Sequence, residues 1–103
     1  MSIERRVAVV TGSGQGIGAG CARSLAQAGF SVVLMSPSER SRNLARELGG
    51  VGLRGSVLDD ADLNRLVELA IDSYGRIDAV VNNMGHGGQG NRVKEVGDNR
   101  AKC

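Results

Sequence analysis

Hydrophobic residues are arranged along this chain in two alternating patterns. Short runs of consecutive apolar residues are typical of strands that are buried on both faces of a sheet. Four such strands are predicted: Arg6 to Val10, Ser31 to Met35, Leu53 to Val57 and Ala79 to Asn82. The three intervals between them have helical patterns, of which the last, Asp60 to Tyr74, is the most regular.

This third helix shows how the pattern divides into two faces. Its predicted core face consists of Leu63, Leu66, Val67, Ala70, Ile71 and Tyr74. Its predicted outer face carries Asp62, Arg65, Glu68 and Asp72. Asp59 is the expected N-cap. Glycines follow all three helices, at Gly29, Gly49 and Gly75, where helices commonly end.

Strands that alternate with helices predict the α/β class. We expect a Rossmann-like, doubly wound parallel sheet with strand order 3-2-1-4, because right-handed crossovers place the first two helices on one face and the third on the other. The sheet is expected to be incomplete, with the fourth strand left as an unpaired edge. Ligands of such sheets bind beyond the carboxyl ends of the strands, where the strand order reverses.

The segment Thr11-Gly12-Ser13-Gly14-Gln15-Gly16-Ile17-Gly18 lies at that position. It joins the first strand to the first helix, and its glycines let the backbone approach an anion beside the N–H groups of the helix N-terminus. A plain turn needs fewer glycines, so a bound phosphate is favoured over a turn without a ligand. Gly20, inside the helix, is expected to allow close packing on the strand.

Three motifs in this order resemble the short-chain dehydrogenase/reductase family. They are the loop T-G-x-x-x-G-I-G, the segment Gly75-Arg76-Ile77-Asp78, and Asn82-Asn83-Met84-Gly85 at the end of the fourth strand. The resemblance covers residues 5 to about 85 and implies a nicotinamide dinucleotide cofactor. The cofactor-binding residues that we expect are Gly12, Ser13, Gln15, Gly16, Ile17, Gly18, Ser36, Ser38, Arg40, Ser56, Val57, Asn83 and Gly85.

The choice between NADP and NAD depends on the end of the second strand. NAD-preferring relatives usually carry a carboxylate there, whereas this chain has Ser36. Serine hydroxyls together with Arg40 or Arg42 could bind a 2′-phosphate, so NADP is favoured over NAD. A second interpretation needs no ligand: Ser36-Pro37-Ser38-Glu39 matches a capping box with proline at the first helical position. The two interpretations are compatible. Ser56 stands where relatives commonly have an aspartate that contacts adenine, which predicts a weaker adenine contact.

The resemblance also implies catalysis by a serine and a Tyr-x-x-x-Lys pair, and these 103 residues contain no such pair. Tyr74, the one tyrosine, is followed four positions later by Asp78. No catalytic or metal-binding residue is therefore predicted. We expect the amino-terminal part of an NAD(P)-dependent oxidoreductase that transfers hydride between nicotinamide and a carbonyl or alcohol, inactive as this chain. The alternatives are a stand-alone nucleotide-binding or regulatory module and a truncated product without function.

Composition and charge narrow the partners. The net charge is +2, and residues 1 to 85 carry equal numbers of acidic and basic side chains, so a nucleic-acid or membrane partner is not expected. The amino terminus lacks a long apolar run, which favours a cytoplasmic protein, and Cys21 and Cys103 are expected to be reduced thiols. We expect a partial dinucleotide-binding domain over residues 1–85 and a polar, glycine-containing tail over 86–103. A full-length relative is expected to be a homo-oligomer, whereas the state of this chain stays open.

Overall fold

The computed structural model describes residues 5–83 and 91–95, and side chains over 5–83. The elements are β1 (Val7–Thr11), α1 (Gly16–Gln27), β2 (Ser31–Ser36), α2 (Arg40–Leu48), β3 (Val51–Arg54), α3 (Asp60–Tyr74), β4 (Ala79–Asn83) and β5 (Asn91–Glu95). The strand and helix alternation predicted from the sequence is confirmed. No helix of the described residues is long and apolar enough to cross a membrane.

The strands form one sheet in the order β3-β2-β1-β4-β5. The first four are parallel and follow the predicted order 3-2-1-4. β5 pairs with β4 in the antiparallel direction, with Val81 opposite Val93. The expectation that the fourth strand is an unpaired edge was therefore wrong, because residues 91–95 supply its second neighbour. The boundary at residue 85 stays a prediction.

Alternate residues of β1 point into two separate cores, one on each face of the sheet. Ala8 and Val10 pack with Cys21, Leu25 and other apolar residues of α1 and α2. Val7 and Val9 pack instead with Leu66 and Ala70 of α3. Both faces of the central strands are thus covered by helices, which explains why their sequences are almost entirely apolar.

Helix α3 has the predicted bounds, but its buried face is narrower than its sequence pattern predicts. Leu66 and Ala70 are buried, and Leu63 and Tyr74 pack partly against the same core. Val67 and Ile71 were expected in the core and are instead 49% and 46% exposed. The physical reason is that α3 packs over β1, β2 and β3. Val67 and Ile71, which directly follow Leu66 and Ala70 in the sequence, therefore face away from the sheet.

The N-terminus of α3 and the C-termini of α2 and α3 follow the predicted chemistry. The Asp59 carboxylate accepts hydrogen bonds from the N–H groups of Ala61 and Asp62, as an N-cap should. Gly49 and Gly75 are the C-caps of α2 and α3 in the left-handed conformation, with φ of 76° and 79°. Cys21 is buried in the core beneath α1. Cys103 lies outside the described residues, so the prediction of two reduced thiols stays a prediction.

Candidate dinucleotide site

The glycine loop between β1 and α1 lies where the strand order reverses between β1 and β4. Gly12 and Gly16 both have left-handed backbone conformations, with φ of 64° and 62°. Residues with a Cβ atom rarely adopt such values. Two left-handed residues allow the chain to leave β1 and start α1 within four positions, which brings the helix N-terminus to the carboxyl edge of the sheet.

Gly12 and Gly18 pack against each other and against the end of β4. A Cβ atom on Gly18 would lie 2.1 Å from the Gly12 carbonyl oxygen and 2.6 Å from the Asn83 side-chain nitrogen. That nitrogen donates a hydrogen bond to the Gly12 carbonyl at 3.2 Å. The two glycines are thus required by close packing within the loop. Gly20 was expected to allow close packing of the helix on the strand, and this expectation was wrong, since Gly20 is exposed and its Cβ direction is open.

The N-terminus of α1 has no side-chain cap. Gln15 is the N-cap residue, makes no capping hydrogen bond, and is followed by no acidic residue in the first turn. The first N–H groups of a helix lack intrahelical partners and carry the positive end of its dipole. Gln15, Gly16 and Ile17 are exposed, and Ile17 is 65% exposed despite being apolar. Exposed helix N-termini without a side-chain cap are the kind that bind anions in proteins.

Ser13 has a different environment from its loop neighbours. It is completely buried, and its hydroxyl lies 2.6 Å from the hydroxyl of Ser41 in the first turn of α2, which is equally buried. The Ser13 hydroxyl also lies 3.3 Å from the Val10 carbonyl and 3.4 Å from the Met35 carbonyl. The side chain of Ser13 thus attaches the glycine loop to β2 and α2. A role of Ser13 in cofactor binding stays a prediction.

The end of β2 does not form the predicted capping box. Helix α2 begins at Arg40 with Glu39 as its N-cap residue, whose side chain makes no capping hydrogen bond. The Ser38 hydroxyl instead accepts the Arg40 N–H at 3.3 Å. Ser36 is the last residue of β2, where its carbonyl accepts the Gly55 N–H at 2.9 Å and its hydroxyl donates to the Ser38 carbonyl at 3.1 Å. Pairing with the segment after β3 fixes Ser36 in the sheet, three residues too early to cap the helix.

Three arginines surround this corner of the site. The Arg40 guanidinium donates a hydrogen bond to the Gln15 side-chain oxygen. Arg42 and Arg54 both pair with the Glu39 carboxylate, at 3.2 and 3.8 Å. Arg54 also donates to the Pro37 carbonyl at 3.1 Å. Sequence reasoning missed Arg54, although its position at the carboxyl end of β3 was available as a signal.

The segment after β3 is held by a residue that the sequence analysis placed on the outer face of α3. Strand β3 ends at Arg54, so Ser56 and Val57, which were predicted within the strand, lie in the loop that follows. The Asp62 carboxylate accepts the Ser56 N–H at 3.0 Å, and the Ser56 hydroxyl accepts the Leu58 N–H at 3.1 Å. Val57 packs partly against the core.

The predicted site residues thus fall into three groups. One group lies at the exposed mouth of the crevice: Gln15, Gly16, Ile17, Ser38 and Arg40. A second group is buried or partly buried and shapes the walls: Gly12, Ser13, Gly18, Ser36, Ser56, Val57 and Asn83. Gly85 lies outside the described residues. Within the described residues no group of histidine, cysteine or carboxylate side chains is arranged to hold a metal ion.

The amino ends of β1 and β4, which form the edge of the sheet opposite the glycine loop, contain a buried carboxylate. Asp78 accepts the Val7 N–H at 2.8 Å and two hydrogen bonds from the Arg76 guanidinium at 2.8 and 2.7 Å. The Arg76 hydrogen bond is the main cause that lowers the pKa of Asp78 below its usual value, aided by the Val7 N–H and opposed by burial. The Gly-Arg-Ile-Asp segment therefore joins the start of β4 to the start of β1.

Comparisons with known proteins agree with this arrangement. The family model described as short chain dehydrogenase matches residues 6–101. The chain is 42% identical over 83 residues to an L-fucose dehydrogenase from Bos taurus, covering 79% of this chain and 31% of that protein. It is 40% identical over 85 residues to the oxidoreductase UcpA from Salmonella typhimurium, covering 78% and 32%.

A solved structure has the same fold. It is the 3-ketoacyl-(acyl-carrier-protein) reductase from Brucella melitensis, complexed with NADH, with a TM-score of 0.68 and 30% sequence identity over 75% of this chain and 33% of that chain. The chain thus spans about a third of the length of the proteins it matches. Its glycine loop, its strand order and the match over residues 6–101 show that it belongs to the short-chain dehydrogenase family.

Proposed function

We propose that this chain is the amino-terminal, cofactor-binding part of an NAD(P)-dependent oxidoreductase. The whole enzyme would transfer hydride between a nicotinamide ring and a carbonyl or alcohol carbon. The observation that supports this most strongly is the uncapped, acid-free N-terminus of α1, held at the carboxyl edge of the sheet by packing between Gly12, Gly18 and Asn83. A pyrophosphate fits such a helix end.

We propose NADP as the preferred cofactor. Ser36 ends β2 without a carboxylate, so a 2′-phosphate on the adenosine ribose meets no negative charge there. Glu39 is close, but its carboxylate is paired with Arg42 and Arg54. Arg40, hydrogen-bonded to a neutral amide, keeps its charge available for that phosphate. The chemistry of this corner therefore suits a cofactor that carries one more phosphate than NAD.

Calorimetric titration of the 103-residue chain with NADP⁺ and with NAD⁺ tests both proposals. A charge-assisted contact to the extra phosphate should make NADP⁺ bind roughly tenfold more tightly. Binding of both with equal or reversed affinity would contradict the NADP preference and leave dinucleotide binding intact. Absence of binding to either would contradict the proposed function.

Catalysis is proposed for residues other than those of this site. The 103 residues contain no Tyr-x-x-x-Lys pattern. Tyr74, the last residue of α3, packs partly against the core between α3 and the sheet. We therefore expect the chain alone to bind cofactor without turning it over. Oxidation of NADPH by the purified chain in the presence of carbonyl compounds would contradict this expectation.

A second candidate, a stand-alone nucleotide-binding module, is favoured by one observation. β5 pairs along the outer side of β4, so the sheet does not expose the backbone of an apolar central strand on that side. If the chain is a stand-alone module, we expect it to be monodisperse, to unfold cooperatively and to bind nucleotide without turnover. An aggregated or non-cooperative chain would contradict it.

A further inference from the structure

The glycine loop and helix α2 are linked at the mouth of the crevice by two exposed side chains. Arg40, the first residue of α2, donates a guanidinium hydrogen bond to the side-chain oxygen of Gln15. Gln15 is the N-cap residue of α1, yet its side chain caps nothing in its own helix. The Gln15 side-chain oxygen instead accepts the hydrogen bond from Arg40 on the neighbouring helix.

Beneath this exposed link lies a buried one that fixes the two backbones. The hydroxyls of Ser13 and Ser41 are 2.6 Å apart, and both residues are completely buried. A Cβ atom on Gly14 would lie 3.1 Å from the Ser36 hydroxyl and 3.2 Å from the Arg40 Cβ. The start of α2 therefore packs directly against the glycine loop. The Arg40 side chain is exposed at this point.

The partner of Arg40 differs from those of nearby arginines. Arg42 and Arg54 are paired with the Glu39 carboxylate, and Arg23 is paired with Glu47 at 2.5 Å. The Arg40 guanidinium instead donates a hydrogen bond to the neutral amide oxygen of Gln15. Exchange of a neutral acceptor for a phosphate oxygen strengthens a guanidinium hydrogen bond, because the new bond is charge-assisted.

We propose that Gln15 is a specificity-determining residue that competes with a phosphate group on the adenosine ribose for the Arg40 guanidinium. This inference rests on the proposed function. A ligand with that phosphate must displace the Gln15 oxygen before it pairs with Arg40, whereas a ligand without it leaves the Gln15–Arg40 bond intact. Gln15 thus reduces the preference for the phosphorylated cofactor below what Arg40 alone would give.

The test compares two small probes, adenosine 2′,5′-bisphosphate and adenosine 5′-monophosphate, in calorimetric titrations of the 103-residue chain. The variant Gln15→Met keeps the length of the side chain and removes the competing oxygen. It should raise the affinity for the bisphosphate relative to the monophosphate about fivefold, the equivalent of one ordinary hydrogen bond. Gln15→Ala should act in the same direction, which guards against a specific effect of the methionine.

Arginine variants complete the test. Arg40→Ala should abolish the preference for the bisphosphate, and Gln15→Met should have no further effect in the Arg40→Ala background, because the two residues act through one contact. Arg23→Ala removes the same charge from an exposed ion pair on α1 and should bind both probes like the parent chain.

The outcomes separate this inference from the proposed function. An unchanged or lower ratio of bisphosphate to monophosphate affinity in Gln15→Met would overturn the competition. An equal effect of Gln15→Met with and without Arg40 would also overturn it. If the parent chain binds the two probes with equal affinity, and Arg40→Ala does the same, this inference is overturned while nucleotide binding stands. No binding of either probe by the parent chain would overturn the proposed function, and this inference with it.

Discussion

β1 and β4 are joined at both ends, but by different means. At the carboxyl edge, Asn83 donates a hydrogen bond to the Gly12 carbonyl, where the glycines pack closely, and the Thr11 hydroxyl donates one to the Asn82 side-chain oxygen at 2.9 Å. At the amino edge, the Asp78 carboxylate is buried and accepts bonds from Val7 and from the Arg76 guanidinium. The amino edge is held by a charged pair. The carboxyl edge is held by neutral hydrogen bonds and close packing, and the helix N-terminus beside it is exposed.

The largest effect on stability and nucleotide binding is expected from one methyl group added at the carboxyl edge. Gly18→Ala would place a Cβ atom 2.1 Å from the Gly12 carbonyl oxygen, so the loop must shift. We expect a loss of about 3 kcal/mol in the free energy of unfolding together with loss of nucleotide binding. Chemical denaturation and calorimetry measure the two effects.

Gly20→Ala is the matched control on the same helix, because the direction of its Cβ atom is open. It should stabilise the chain by up to about 1 kcal/mol through helix propensity and leave nucleotide affinity unchanged. Equal behaviour of the two alanine variants would contradict the packing account of the loop.

A change at the amino edge should affect stability without affecting the site. Asp78→Asn weakens the contacts to Arg76 and Val7, and we expect a cost of about 2 kcal/mol near neutral pH. Nucleotide affinity should be unchanged, since the site lies at the other end of the strands. Asp72→Asn, on the exposed side of α3, is the control and should leave both quantities unchanged.

The same residue predicts a pH dependence. The pKa of Asp78 is lower in the folded chain than its usual value, so its stabilisation is present above the unfolded pKa of about 4. That stabilisation is lost as the pH falls through the folded pKa. Unfolding measured at pH values above and below this range should show a smaller acid-induced loss for Asp78→Asn than for the parent. Identical losses would contradict the role of the carboxylate.

The smallest expected change removes one amide from the carboxyl edge. Asn83→Ala loses the hydrogen bond to the Gly12 carbonyl, with an expected cost of about 1 kcal/mol in stability and about a fivefold loss of nucleotide affinity. Asn64→Ala, on the exposed face of α3, is the matched control. A stability loss without a change in nucleotide affinity would show that Asn83 acts only in the fold.

The strand order and the position of the glycine loop were predictable because both follow from local patterns. Apolar runs, glycine stops and right-handed crossovers together allow few arrangements. The bounds of α3 and its Asp59 cap were predictable for the same reason. The sequence pattern of α3 could not separate Leu66 and Ala70 from Val67 and Ile71, because their exposure depends on which strands the helix covers.

The parts of the site that were not predicted depend on contacts between distant residues. The Ser13–Ser41 contact joins positions 28 residues apart. Ser36 matched a capping box locally, but pairing of its carbonyl with Gly55 keeps it in β2. Asp62 looked like a solvent-facing residue of α3 and instead holds the loop at Ser56. In each case tertiary hydrogen bonding overrides a local preference.

The central claim is that the carboxyl edge binds a dinucleotide and the amino edge does not. The most direct test records the backbone amide resonances of the isotope-labelled 103-residue chain as NADP⁺ is added. We expect shifts at Gln15, Gly16, Ile17 and Arg40, and none at Val7 or Asp78. Shifts centred on Val7 and Asp78, or no shifts at saturating NADP⁺, would contradict the account.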